Sequence, residues 1–379
     1  MNKNGHNIRV MAFLLLLGLP LIGIHCAGKP LARYIDFPPT THYVSHAPFA
    51  WPAFIALFLF IAACVGPFIL QIVRHRHDSV EASGMRPFPW WGWAGAGFGV
   101  AAWIMAWSRF PWFADWQVFT FSPLWFAYIA VVNALSYRRS GHCMLRDRPR
   151  HLAGLFALSA AFWWFFEYLN RFVQNWYYDG IGTLTPFQYF LFATLPFATV
   201  LPAVMGTHEL LATFPRLTAG LASYHPLRIK WPRVTAGATL LAAGAGLAGV
   251  GVWPDYLFPL VWLAPLFVIT SLQTLTGQPT IFADLERGDW RRVFRLAMAA
   301  LVCGFFWEMW NYHSQAKWIY SVPYAGRFKI FEMPVLGYAG YLPFGWECAV
   351  VASLSHSHFP RAGSDLDGGY HPYMNEVAQ

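Results

Sequence analysis

Long apolar runs broken by short polar segments recur along the whole chain. Ten of them lie near 9–25, 51–73, 90–107, 119–136, 152–170, 186–206, 234–252, 256–276, 293–311 and 334–354. About 20 apolar residues suffice for a helix to cross a bilayer. The pattern therefore predicts an all-α fold, a polytopic membrane helix bundle of about ten transmembrane helices. The first run follows a basic start (Lys3, Arg9), as a signal peptide would. No small-x-small cleavage site follows Ile22-Gly23-Ile24-His25-Cys26, and no small residue of the lipoprotein type precedes Cys26. The run reads as an uncleaved anchor.

Composition narrows the class. Charged residues make up 12% of the 379 positions and apolar residues 57%. A soluble domain carries about 25% charge, so a soluble enzyme of this size is excluded. The net charge of +8 does not point to nucleic acid, because the basic residues sit in short clusters between the apolar runs. Of the 26 Lys and Arg, 19 fall on the side of the two termini and seven on the other. The positive-inside rule then puts both termini in the cytoplasm, in what reads as a bacterial inner membrane. The five cysteines show no CxxC spacing, so neither a disulfide framework nor a zinc knuckle is expected. No cofactor motif sits on a usable strand–helix frame.

The chain also repeats itself. Phe165-Phe166-Glu167-Tyr168-Leu169-Asn170 with Trp176 and Tyr178 matches Phe306-Trp307-Glu308-Met309-Trp310-Asn311 with Trp318 and Tyr320. Upstream, Trp125 matches Trp262 and Gly141 matches Gly277, at offsets of 136 to 142 residues throughout. Four spans per half give two parallel four-helix repeats, expected to be related by a pseudo-twofold axis along the membrane normal. The division reads as an N-terminal two-helix addition (1–89), repeat 1 (90–206), a cytoplasmic linker (207–233), repeat 2 (234–354) and a disordered cytoplasmic tail (355–379).

Only Glu167, Glu308 and Glu347 lie clearly within spans. A charge at bilayer depth costs several kcal/mol and usually faces a protein interior. Glu167 with Asn170, and Glu308 with Asn311, are each three apart, on one helix face. Two carboxyls in apolar surroundings can serve as a general acid and its basic partner, which makes these four the candidate catalytic residues. The opposing expectation is that each Glu bonds its Asn and a neighbouring helix and only fixes packing. Trp307, Trp318, Trp176 and Tyr320 are candidates to line an apolar substrate. Lys317 and Arg327 are candidates for an anionic headgroup. His42, His46 and His313 could supply metal ligands with Glu308, but prolines near the first two argue against regular helical ligand spacing, and no metal is expected.

The segment Trp307-Glu308, Trp318, Gly326-Arg327 and Glu332-Met333-Pro334-Val335 resembles the small membrane lycopene-cyclase domain. That family shows a Trp–acid pair, a downstream Trp and a Pro-Leu-Glu-Glu-type motif opening the next helix. The resemblance implies an intramembrane, acid-initiated chemistry on a carotenoid-like isoprenoid, with Glu308 as the acid and Pro334 opening a helix. Here Val335-Leu336-Gly337 follows the proline, without the family's paired carboxylates. The leading expectation is a membrane enzyme of cyclase, isomerase or hydratase type whose partner is a membrane lipid or hydrophobic small molecule. The alternatives are a proton- or cation-coupled transporter with its site at the repeat interface, and a non-catalytic scaffold or assembly factor.

Overall fold

The computed structural model describes residues 3–75, 84–182 and 184–354. The expected disordered tail lies outside the described residues. Helices, 3₁₀ segments included, account for 71% of the described residues. In chain order they are α1 (Lys3–Cys26), α2 (Ala32–Ile35), α3 (Trp51–His75), α4 (Trp90–Trp107), α5 (Phe121–Ser140), α6 (Met144–Asp147) and α7 (Pro149–Val173). Strand β1 (Trp176–Asp179) follows, then α8 (Pro186–Phe197), α9 (Val200–Ala212), α10 (Pro232–Gly249), α11 (Pro254–Leu257), α12 (Leu260–Leu275) and α13 (Arg291–His313). The chain closes with β2 (Lys317–Tyr320), β3 (Lys329–Ile330), β4 (Met333–Pro334) and α14 (Tyr341–Leu354).

Proline placement explains many of the starts. Pro149, Pro186, Pro232 and Pro254 each open a helix, where a missing N–H costs nothing. Pro202 and Pro343 fall in the first turns of α9 and α14, so they start helices and do not kink spans. Pro196 ends α8 at a two-residue break before α9.

The long helices set the class. α1, α3, α7, α13 and the α8–α9 stretch are long and apolar enough to cross a membrane. The 3₁₀ segment Pro111–Phe119 with α5, bent by 65°, makes a sixth candidate. α3 has no buried residue along its 25 positions. So large an unburied apolar helix fits a lipid surroundings and not water. The other expected runs are helical but shorter or less apolar. α14 has 14 residues and α12 has 16, roughly 21 and 24 Å at 1.5 Å per residue. By length and composition, five helices among the described residues can cross a membrane, or six with the bent pair.

The tenth run departs from expectation at its start. Pro334 does not open a helix. It lies in β4, where it pairs with Lys329 of β3. A 3₁₀ turn over Val335–Gly340 follows, and the helix begins only at Tyr341.

The core is aromatic. Trp125, Phe166 and Phe344 are among the largest fully buried side chains. Trp125 of α5 packs on Trp307 of α13 at 5.0 Å between ring centroids. Trp262 of α12 packs on Phe166 of α7 at 4.8 Å. Each of these tryptophans therefore touches the residue just before the glutamate of the other half. The N-terminal helix packs on α10 and α12. Gly23 permits this approach, since a Cβ there would lie 1.6 Å from the Ala248 carbonyl oxygen.

Candidate functional site

Both glutamates sit near the ends of long helices, and the chain returns to them by the same device. Gln174 ends α7 in the left-handed region at φ 54°. Beyond it the backbone turns back as β1. The Asn170 side chain holds the returning strand: its Nδ2 donates to Trp176 O at 2.7 Å, and its Oδ1 accepts from Asn175 N at 2.8 Å and Trp176 N at 3.4 Å. After α13, Asn311 does the same to Trp318, donating to its O at 2.8 Å and accepting from its N at 2.9 Å. The asparagines thus act as substitute strand partners. They satisfy backbone groups that would otherwise be orphaned at a helix end.

Anchoring the tryptophan backbone brings the residue two positions on back to the carboxyl. Tyr178 OH donates to Glu167 Oε1 at 2.6 Å, and Trp176 Nε1 donates to the same oxygen at 3.0 Å. Tyr320 OH donates to Glu308 Oε1 at 2.8 Å. The second donor to Glu308 differs: Tyr341 OH, from the first residue of α14, at 2.7 Å. Trp318 Nε1 donates instead to the Tyr320 hydroxyl at 2.9 Å. Each glutamate is 0% exposed. In each, Oε2 is buried with no hydrogen-bond partner among the described residues.

The two nests are joined. β1 and β2 pair antiparallel, with Trp176 opposite Tyr320 and Tyr178 opposite Trp318. Ser321 N donates to Asn175 O at 2.8 Å and prolongs the ladder. The loop after α2 lies against this pair, with Ser321 Oγ donating to Val44 O at 2.8 Å and His42 N donating to Gln174 Oε1 at 2.9 Å.

The other expected site residues scatter. Lys317 pairs with Glu332 at 2.9 Å, and Lys329 lies 3.8 Å from the same carboxylate. The Arg327 guanidinium stacks over Phe49 at 5.0 Å. Lys317 is thus paired with a carboxylate, and Arg327 is exposed beside an aromatic face. Trp307 is a core residue packed on Trp125, Tyr341 and Phe344, not a free lining side chain. His46 is tied to Asp255 at 2.6 Å, and His313 packs its ring on Trp107 and Tyr312. Among the described residues no three His, Cys, Asp or Glu side chains gather as metal ligands, so the His42, His46 and His313 grouping does not form.

Two contributors escaped the sequence reading. Tyr341 belongs to no repeated word and reaches Glu308 only through tertiary folding. Glu347, noted only for its depth, is 0% exposed, and neither of its oxygens has a partner among the described residues. No family model, curated protein or solved structure matches this chain.

A separate apolar cavity of about 350 Å³ lies between α4, α5, α9 and α13, lined by Gly95, Trp103, Tyr128, Phe306 and Trp310 among others. Tyr128 OH lies against Thr207 Oγ1 there at 2.8 Å, with Cys303 Sγ at 3.7 Å from the hydroxyl. Phe306 and Trp310 lie on the face of α13 turned away from Glu308, so this cavity and the carboxyl nest are distinct.

Proposed function

We propose an integral membrane enzyme that acts on a lipid or isoprenoid-like apolar substrate by acid/base chemistry, with Glu308 as the principal group and Glu167 as its counterpart. One observation carries the reading. In each nest a single carboxyl oxygen takes both donors while its twin takes none. Such an arrangement fixes the carboxyl plane and leaves one oxygen to exchange a proton with a bound molecule. At Glu308 the donors are hydroxyls, and Tyr320 both donates to the carboxyl and accepts from Trp318, which forms a short relay. Substrate contact would come from Trp318, Trp176 and Tyr320 around the paired strands. The resemblance to the membrane lycopene-cyclase domain designates the same Glu308.

The topology proposed with it has ten crossings, both termini in the cytoplasm, and halves 90–206 and 234–354 related by a two-fold axis along the membrane normal. The symmetric register of β1 with β2 and the reciprocal packing of Trp125 and Trp262 support that relation. The glutamates then lie toward the outer leaflet.

A packing role is the second reading, favoured by the complete burial of both glutamates. Mass spectrometry of lipid extracts co-purified with wild type and with Glu308→Gln separates the two. An isoprenoid-class species that differs between the extracts supports the enzyme. Identical extracts from equally stable proteins would refute it.

A further inference from the structure

A cavity of about 270 Å³ opens where α1 and α7 end, lined by Lys29, Arg33, Ser45, His46, Arg171 and Asp255 among others. Arg171 stands one helical turn beyond Glu167 on the same face of α7. It is 4% exposed, and its Nη1 is buried with no partner among the described residues. Its Nη2 donates to the Asp36 carbonyl. A guanidinium N–H left without an acceptor in such a place costs more than a neutral donor would. Lys29 spends one N–H on Gly251 O at 2.8 Å and keeps two more. Arg33 is exposed at the rim.

The acidic groups nearby do not meet this demand. Asp255 takes His46 Nδ1 on one oxygen at 2.6 Å and Ala47 N on the other at 3.0 Å. Gln174 likewise uses its Oε1 on His42 N. Asp36 offers Arg171 its backbone oxygen, and its exposed carboxylate only attracts from a distance. Three cations thus line a cavity in which Asp255 and Gln174 already accept from His46, Ala47 and His42.

We propose that this cavity binds a phosphate-bearing anion, held by the Arg171 fork with Lys29 and Arg33. Guanidinium–phosphate hydrogen bonds are charge-assisted, which suits the unpartnered Nη1 of Arg171 at the buried position. The phosphate can come from an anionic lipid headgroup or from a free anion in solution. The site stands independently of the acid/base reading of Glu308.

The test is thermal unfolding of the purified full chain in detergent, titrated with inorganic phosphate, phosphatidylglycerol or phosphatidylcholine. The unfolding midpoint should rise with phosphate or with phosphatidylglycerol, and not with phosphatidylcholine. A rise with phosphate alone identifies a free-anion site, and one with phosphatidylglycerol alone identifies a headgroup site. Arg171→Gln should abolish the rise. Lys29→Gln with Arg33→Gln, which leaves the buried arginine in place, should weaken the apparent affinity by roughly tenfold or more. Arg327→Gln should leave it intact. No rise with either anion would overturn the proposal. So would an equal rise with phosphatidylcholine, or full binding by the Lys29→Gln/Arg33→Gln protein.

Discussion

The Glu167 and Glu308 nests share a plan and differ in one donor. Both use an asparagine to grip the backbone of a tryptophan, and both receive a tyrosine from the paired strands. At Glu167 the second donor is the indole of that tryptophan, so the nest is closed by residues within one short stretch of chain. At Glu308 the indole turns to Tyr320, and Tyr341 arrives from the next helix. Glu308 is therefore tied to α14 by one tyrosine hydroxyl and to the Trp318 indole through another, whereas Glu167 is a local closure. The two carboxyl pockets share a scaffold and differ in their proton-bearing contacts. That divergence is why the chemistry is assigned chiefly to the second nest.

The comparison can be broken at several points. The largest effect is expected from Trp125→Ala and Trp262→Ala, each removing a ring from the cross-packed core. Both should lower stability by about 3–5 kcal/mol, with Trp125 the worse because it is fully buried. Chemical unfolding in detergent measures this. A mild Trp125→Ala beside a severe Trp262→Ala would show that the halves are not held reciprocally. Next, Tyr320→Phe strips a donor from Glu308 and the acceptor from Trp318, whereas Tyr178→Phe deprives only Glu167. The first should cost about 1–3 kcal/mol more than the second. Equal losses would mean that the relay at Glu308 does not contribute.

Asn170→Ala and Asn311→Ala come third. Each orphans the strand backbone at about 1–3 kcal/mol per buried group, and Asn170 holds one contact more. Protection of Trp176 and Trp318 amides from hydrogen exchange should fall in the respective variant only. The smallest effect is expected for Lys317→Gln, which loses a partly exposed ion pair with Glu332 worth about 1 kcal/mol or less. Unchanged lipid content in that variant would leave Lys317 as an ion-pair residue alone. A lost lipid would make Lys317 a ligand contact.

Much of this plan was legible in the residues. Each of the ten apolar runs contains a helix, and the word repeated around Glu167 and Glu308 marks the two nests. The spacing from Glu to Asn to Trp to Tyr encodes the return of the strand, because each asparagine acts on chain five to seven residues away. What could not be read depends on distant chain. Tyr341 is 33 residues from Glu308, and nothing in its own surroundings announces a carboxyl partner. Lys317 and Arg327 looked free because their partners, Glu332 and Phe49, meet them only in the folded loops. Pro334 looked like a helix start, but pairing with Lys329 gave it an edge-strand place instead.

The central claim is that Glu308 exchanges a proton and does not merely fill space. The direct measurement compares turnover of the co-purified lipid by wild type, Glu308→Gln and Glu308→Leu, alongside their unfolding midpoints. Gln keeps the shape and can still accept from Tyr320 and Tyr341, but it carries no ionisable proton. Turnover by Glu308→Gln should fall by roughly 10²–10⁴ with the midpoint nearly unchanged. A Glu308→Gln protein with full turnover, beside an unstable Glu308→Leu protein, would contradict the claim and leave the residue a packing element.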